Sequence, residues 1–156
     1  GSDEFVETVS TTPYVGLKNF IHYSLVNKEV VEAEPKFDAW DLLFTRYVIQ
    51  IPTGPTSVMN YPVTGVLCNS GVTVSKVTDV PVEKAVDTES ESGYVTAADA
   101  IGYDWKVSDP VTHEVSIADS VSYFIKSVDG KKYQLYFTDY GGFEAGTITF
   151  KVKKVE

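Results

Sequence analysis

The sequence predicts an all-β protein, and three observations carry that prediction. Apolar and polar side chains alternate with a period of two through the C-terminal third, as they do in half-buried strands. Asp129-Gly130, a strong hairpin turn signal, separates two of these alternating runs. β-branched and aromatic residues dominate the segment that ends at Pro52. The expected architecture is antiparallel, with two packed sheets or one strongly curled sheet and long loops.

The N-terminal part predicts a hairpin followed by a long strand. Phe20–Leu25 and Val30-Val31 flank Asn27-Lys28, which we interpret as the turn of the hairpin. Residues 40–51 begin with a segment compatible with a helix, but Val48-Ile49-Gln50-Ile51 favours a strand that ends at Pro52. Thr53–Ser57 is rich in turn-forming residues and predicts a loop.

The middle of the chain predicts mainly loops. Residues 60–100 contain only short β-branched runs, such as Val72-Thr73-Val74. Asp87–Gly93 is acidic and serine-rich, so it cannot bury apolar surface and is expected to be a solvated loop rather than a calcium site. Long loops on a rigid β scaffold often carry the function of a protein.

The C-terminal part predicts an antiparallel meander of three strands. Val121–Lys126 and Lys132–Thr138 alternate on either side of Asp129-Gly130, and Thr147–Lys153 follows a glycine-rich segment. We expect one face of this meander to be exposed to solvent. Trp40 and Trp105 are expected to be core anchors.

Length and composition favour one domain, and the lack of recognisable catalytic motifs favours a protein that does not catalyse a reaction. We expect a single β domain over residues 1–156, with residues 1–16 loosely ordered. The formal charge of −9 argues against nucleic acid and anionic lipid as partners. The chain has no glycine-rich phosphate loop, nucleophile elbow or zinc-ligand spacing, and pairs such as Asp99 and Asp104 arise by chance among 22 acidic residues.

Several segments, in this order and approximate spacing, resemble the HmuY-like proteins, a family of haem-binding lipoproteins from Bacteroidetes-type bacteria. The similar segments are Phe20–Leu25, Trp40–Tyr47, Ile101–Trp105, Tyr123–Tyr133 and Phe137–Tyr140. The resemblance implies an exported, all-β protein that is anchored to the outer membrane by a lipid on a cysteine preceding Gly1, or is released at the cell surface. It further implies that the protein captures haem and passes it to an outer-membrane receptor.

The resemblance also directs attention to haem-iron ligands, which in this family are two histidines or two methionines. The chain has two histidines, one methionine, one cysteine and ten tyrosines, so a pair of methionines is excluded. Met59, just after the turn-rich loop, and His113, before the meander, are the candidate haem-binding and iron-ligating residues. The alternatives are a gap-filling core role for Met59 and an exposed loop position for His113.

Other side chains are weaker candidates for the iron. His22 lies within a predicted strand, where a structural role is expected. Cys68 is expected to be a small buried hydrophobic residue. It could bind the iron as a thiolate, but nothing in the sequence indicates the lowered thiol pKa that this requires. Tyr61 or Tyr94 is a further possible ligand as a tyrosinate. No histidine or methionine occurs between Cys68 and Asp104, so two axial ligands are less expected than one.

The alternatives to haem capture are another binding function or none. The same scaffold would suit a glycan or a non-haem tetrapyrrole stacked on exposed tyrosine and tryptophan rings. An adhesion or interaction domain without a small ligand is the third possibility.

Overall fold

The computed structural model describes residues 6–10, 18–87, 93–109, 111–112 and 114–155, and it confirms the all-β prediction. Within these ranges the strands form four antiparallel sheets. The predicted acidic loop is outside the described ranges at residues 88–92, and so is most of the predicted N-terminal segment, at residues 1–5 and 11–16. The chain divides into two compact units, Gly1–Trp40 and Asp41–Glu156.

The first unit contains the predicted N-terminal hairpin. Strand β1, His22–Ser24, pairs antiparallel with β2, Glu29–Val31. Lys28 adopts a positive φ of 55°, and its N–H donates to the Ser24 carbonyl at 2.8 Å. The turn therefore lies where Asn27-Lys28 predicted it, and His22 lies on the strand as expected.

The second unit begins with a long hairpin. Strand β3, Leu42–Pro52, pairs along its whole length with β4, Val58–Cys68. The Thr53 N–H donates to the Ser57 carbonyl at 2.9 Å and closes the predicted turn. The prediction of β3 and its turn is confirmed.

Strand β4 corrects the prediction of a loop-rich middle. Pro62 and Gly65 lower the strand propensity of this segment, yet both lie inside the strand. Among the described residues β4 pairs with only one strand, β3, and its other edge is bridged at Val66 to Gly102. A proline without an N–H is tolerated at such an edge.

A four-stranded sheet follows, in the order β10-β9-β8-β5 and antiparallel throughout. The strands are β5, Thr73–Val77; β8, Ser122–Lys126; β9, Lys132–Tyr140; and β10, Ile148–Lys154. Gly130 has a φ of 81° in the β8–β9 turn, a conformation that glycine adopts without strain. A single helical turn, Gly142–Ala145, links β9 to β10. The predicted C-terminal meander is therefore confirmed.

The prediction that one face of the meander is exposed is wrong for β8. Tyr123 and Ile125 are buried on one face, and Ser122 and Phe124 are buried on the other. Phe124 packs with Ala85 and Tyr94 in a second, smaller hydrophobic cluster. The alternation within the meander predicted that this face is exposed to solvent. Chain segments outside the meander cover it instead.

The main core lies between the other face of this sheet, the end of β4 and the chain that follows β4. Its buried members include Val66, Ile101, Trp105, Leu135 and Phe137. The Trp105 indole stacks on the Phe137 ring with centroids 4.1 Å apart, and its Nε1–H donates to the Gly102 carbonyl at 3.2 Å.

The two tryptophans do not share one role. Trp105 is 1% exposed and confirms its prediction as a core anchor. Trp40 is only half-buried and belongs to neither buried cluster of the described residues, so its prediction is wrong. It follows a short 3-10 turn, Phe37–Ala39, which has no buried residue against which a large ring would be enclosed.

Candidate functional site

A cleft of about 300 Å³ opens in the second unit, at the lower end of the size range of small-molecule sites. The walls are formed by the middle of β4, the segment before β6 and the end of β9. A hairpin of β6, Lys106–Ser108, and β7, Val115–Ile117, completes them. Its polar and aromatic lining consists of Tyr61, Thr64, Tyr103, Lys106, Ser108 and Tyr140. Tyrosine rings with hydroxyl tips suit a ligand that is apolar in its body and polar at its rim.

The close approach of Gly65 and Gly102 determines where the segment before β6 lies against β4. Val66 and Gly102 form an antiparallel bridge, with N–H···O distances of 2.9 and 3.1 Å. Gly102 has a φ of 68°, a left-handed conformation that glycine adopts without strain. An added Cβ on Gly65 would lie 2.6 Å from the Gly102 carbonyl oxygen, so the approach requires glycine. The cleft wall therefore depends on backbone contact.

Lys106 supplies the cation of the cleft. Its Nζ donates to the Thr64 carbonyl and, at 3.4 Å, to the Tyr103 carbonyl. The same nitrogen lies 4.3 Å from the centroid of the Trp105 ring and 5.3 Å from that of Tyr140. Burial lowers the pKa of Lys106 to about 8, although the negative charge of Asp104 opposes the shift. This amine is therefore easier to deprotonate than an ordinary lysine.

The lowered pKa of Lys106 predicts how stability depends on pH. Between about pH 8 and the ordinary value of 10.5, the unfolded chain holds more protons at this position than the native chain. The contribution of Lys106 to the free energy of unfolding therefore rises with pH across this window. We expect the unfolding free energy of Lys106→Met, minus that of wild type, to be most positive near pH 7 and to fall towards pH 10.

Urea unfolding at three pH values measures this difference. Burial raises the pKa of the Cys68 thiol to about 11, which gives the opposite trend, but that term is present in both proteins and cancels. Lys153→Met, on the exposed part of β10, is the matched control. The same pH dependence in both variants would contradict the assignment to Lys106.

Met59 does not line the cleft, but it lies on β4, one of the strands that form the cleft. It is on the same face of β4 as Tyr61, because the two residues are two positions apart. Its side chain is 47% exposed, so the alternative of a gap-filling core methionine is wrong. The structure leaves the thioether accessible, and its role as an iron ligand stays a prediction.

His113 lies outside the described residues. It belongs to the stretch of sequence that joins β6 to β7, whose ends contribute Ser108 and Val115 to the cleft. Its role as a ligand also stays a prediction.

Two of the weaker candidates, Cys68 and Tyr94, do not line this cleft. Cys68 is buried, as predicted, and its raised pKa keeps the thiol protonated at neutral pH. Tyr94 is 8% exposed and its hydroxyl donates to Asp87 at 2.7 Å, so it is engaged within the second cluster. Tyr61 is different, since it is 48% exposed and forms part of the cleft wall.

Lys106, Tyr103 and Tyr140 are among the cleft residues that sequence reasoning missed. Tyr103 and Tyr140 lie within segments that carry the family resemblance, but no local pattern marked them as neighbours. The one available signal was a lysine directly after a tryptophan that was predicted to be buried. A lysine in that position must either extend to solvent or find acceptors within the fold.

Other features of the described part of the chain are limited. It contains no group of three or more His, Cys, Asp or Glu side chains placed to hold a metal ion. None of its helices is long and apolar enough to span a membrane. No family model matches the sequence, and no match was found among the curated proteins or the solved structures compared with it.

Proposed function

We propose that this chain is a non-catalytic haem-capture protein and that the tetrapyrrole binds at the cleft between β4, β6 and β9. The single observation that carries the proposal is a cleft with three tyrosine rings beside a half-buried cation. A porphyrin needs apolar and aromatic surface for its ring, and its propionates need polar or cationic partners at the rim. The resemblance to HmuY-like proteins supports the same ligand.

The candidate iron ligands are compatible with this placement. Met59 shares a strand face with Tyr61, and His113 belongs to the sequence between the two strands that contribute Ser108 and Val115. A thioether or an imidazole would then approach the iron from an element that already forms the cleft. From the resemblance to HmuY-like proteins, we further propose that the protein acts at the cell surface and delivers haem to an outer-membrane receptor.

A haemin titration followed by absorption spectroscopy, in ferric and dithionite-reduced states, tests the proposal. We expect a saturable one-to-one Soret shift whose visible bands report one or two axial ligands. Tyr61→Ala is expected to weaken binding about tenfold by removing one aromatic wall. Tyr136→Ala removes a tyrosine that does not line the cleft and is the matched control. A spectrum identical to that of free haemin would refute haem capture.

The axial ligand is identified by substitution and pH. Haem held through His113 should be released as the pH falls, because imidazole protonation competes with the iron. A thioether does not titrate, so retention at pH 5 that is lost in Met59→Ala would assign the sulfur. Spectra that are identical in wild type and Met59→Ala would remove Met59 from the site.

A glycan is the second candidate, favoured by the exposure of two tyrosines. Tyr61 is 48% and Tyr103 is 40% exposed, which leaves ring surface on which a sugar can stack. Such a complex would be colourless. It would be detected by a change in tryptophan fluorescence, because Trp105 lies against the Lys106 amine at the cleft.

A further inference from the structure

One hydrogen-bond donor of the Lys106 ammonium is available to a ligand. A lysine ammonium carries three N–H donors. Two of its donors have acceptors in the Thr64 and Tyr103 carbonyls, and among the described residues no further acceptor is recorded for the third. Because the residue lines the cleft, a ligand oxygen that enters the cleft can accept the remaining hydrogen bond.

The charge of Lys106 also lacks a full counter-charge. Asp104 is the acidic side chain whose negative charge raises the pKa of Lys106, but its carboxylate forms an ion pair with Lys76. The other groups that face the ammonium are the Thr64 and Tyr103 carbonyls and the rings of Trp105 and Tyr140, which offer only partial negative charge. Tyr61 and Tyr103 complete the titratable groups of the cleft wall. A half-buried cation in this setting would gain from an anionic ligand.

We infer that the cleft selects planar ligands that carry a carboxylate, and that Lys106 is the specificity-determining residue that binds this group. The inference rests on the proposed function, for which a haem propionate would be the carboxylate, and it names the chemical class that the site accepts. The net charge of the chain acts in the opposite direction. A chain with a formal charge of −9 repels anions in general, so the local attraction at Lys106 must outweigh this repulsion for a carboxylate to be preferred.

A bound carboxylate would hold the proton on Lys106. Because burial already lowers the pKa of this amine, binding near pH 9 should be accompanied by proton uptake, and affinity should decline above about pH 8. Calorimetry in two buffers with different ionisation enthalpies measures the uptake directly. A ligand without a carboxylate should show no uptake.

The decisive experiment compares haemin with haemin dimethyl ester in wild type, Lys106→Met and Lys106→Arg. In wild type the ester is expected to bind about ten- to a hundredfold more weakly, as for loss of one charged hydrogen bond. In Lys106→Met the two ligands should bind equally, and Lys106→Arg should restore most of the preference. Lys153→Met is the control for net charge, and far-ultraviolet circular dichroism confirms that each variant is folded.

A haem-independent arm separates the two proposals. 1-Pyrenebutyrate and 1-pyrenebutanol share a planar ring and differ in the carboxylate, and both report binding by fluorescence. Lys106-dependent preference for the acid without any haemin binding would refute haem capture and support the carboxylate inference. Equal binding of haemin and its ester would overturn the inference and leave haem capture in place. Equal binding, or no binding, of both pyrene probes would also overturn it.

Discussion

Replacing Trp105 with alanine is expected to lower the free energy of unfolding by about 3–5 kcal/mol, the usual range for deleting a buried aromatic side chain. The residue is 1% exposed, stacks on Phe137 at 4.1 Å and meets Tyr140 edge-on at 5.7 Å. Alanine would leave a cavity under the cleft and remove the indole hydrogen bond to Gly102. Urea denaturation followed by circular dichroism measures the loss.

Two further variants make this prediction specific. Trp105→Phe retains a ring for stacking and should lose less than half as much as Trp105→Ala. Trp40→Ala removes a half-buried ring outside both core clusters and is expected to lose only about 1 kcal/mol. Equal losses for the alanine variants at positions 40 and 105 would contradict the assignment of Trp105 as the sole core anchor of the pair.

Replacing Gly65 with alanine is the second large effect that we expect, with a loss of about 3 kcal/mol or more. The new Cβ would lie 2.6 Å from the Gly102 carbonyl oxygen and 3.0 Å from its carbonyl carbon. These are backbone atoms, and the bridge between Val66 and Gly102 holds them in place, so the strand and the segment must separate. Thermal and urea unfolding of the variant measure the cost.

Gly54→Ala is the matched control for this substitution. An added Cβ there would have Ser57 side-chain atoms at 3.9 Å as its nearest neighbours, so we expect a change within about 0.5 kcal/mol. Separation at Gly65 would also displace the Thr64 and Tyr103 carbonyls from Lys106, and ligand binding should weaken together with stability. A stable Gly65→Ala protein with unchanged binding would show that this close approach does not shape the cleft.

Local patterns were sufficient for much of the strand assignment. Asp129-Gly130 placed the β8–β9 turn, Asn27-Lys28 placed the first hairpin, and the run before Pro52 placed β3. In each case the information lies within a few residues, because turn dihedral angles and side-chain alternation are properties of a short segment. Strand β4 was missed because its proline and glycine oppose the local propensity. The proline is acceptable because β4 is an edge strand, and the glycine is required because it lies against the Gly102 backbone.

By itself, the sequence determined the fold class, the main hairpin turns, the burial of Cys68 and Trp105, and the pool of groups from which any site must be built. Only the tertiary structure decided that both faces of β8 are covered, that Trp40 is only half-buried, and that Lys106 lines one cleft with tyrosines from three separate segments. The physical reason is the distance along the sequence over which each property is set. Backbone conformation and alternation are set by neighbours in sequence, whereas burial, a shifted lysine pKa and a shared cleft arise from residues brought together across about forty positions or more, as Thr64 and Lys106 are.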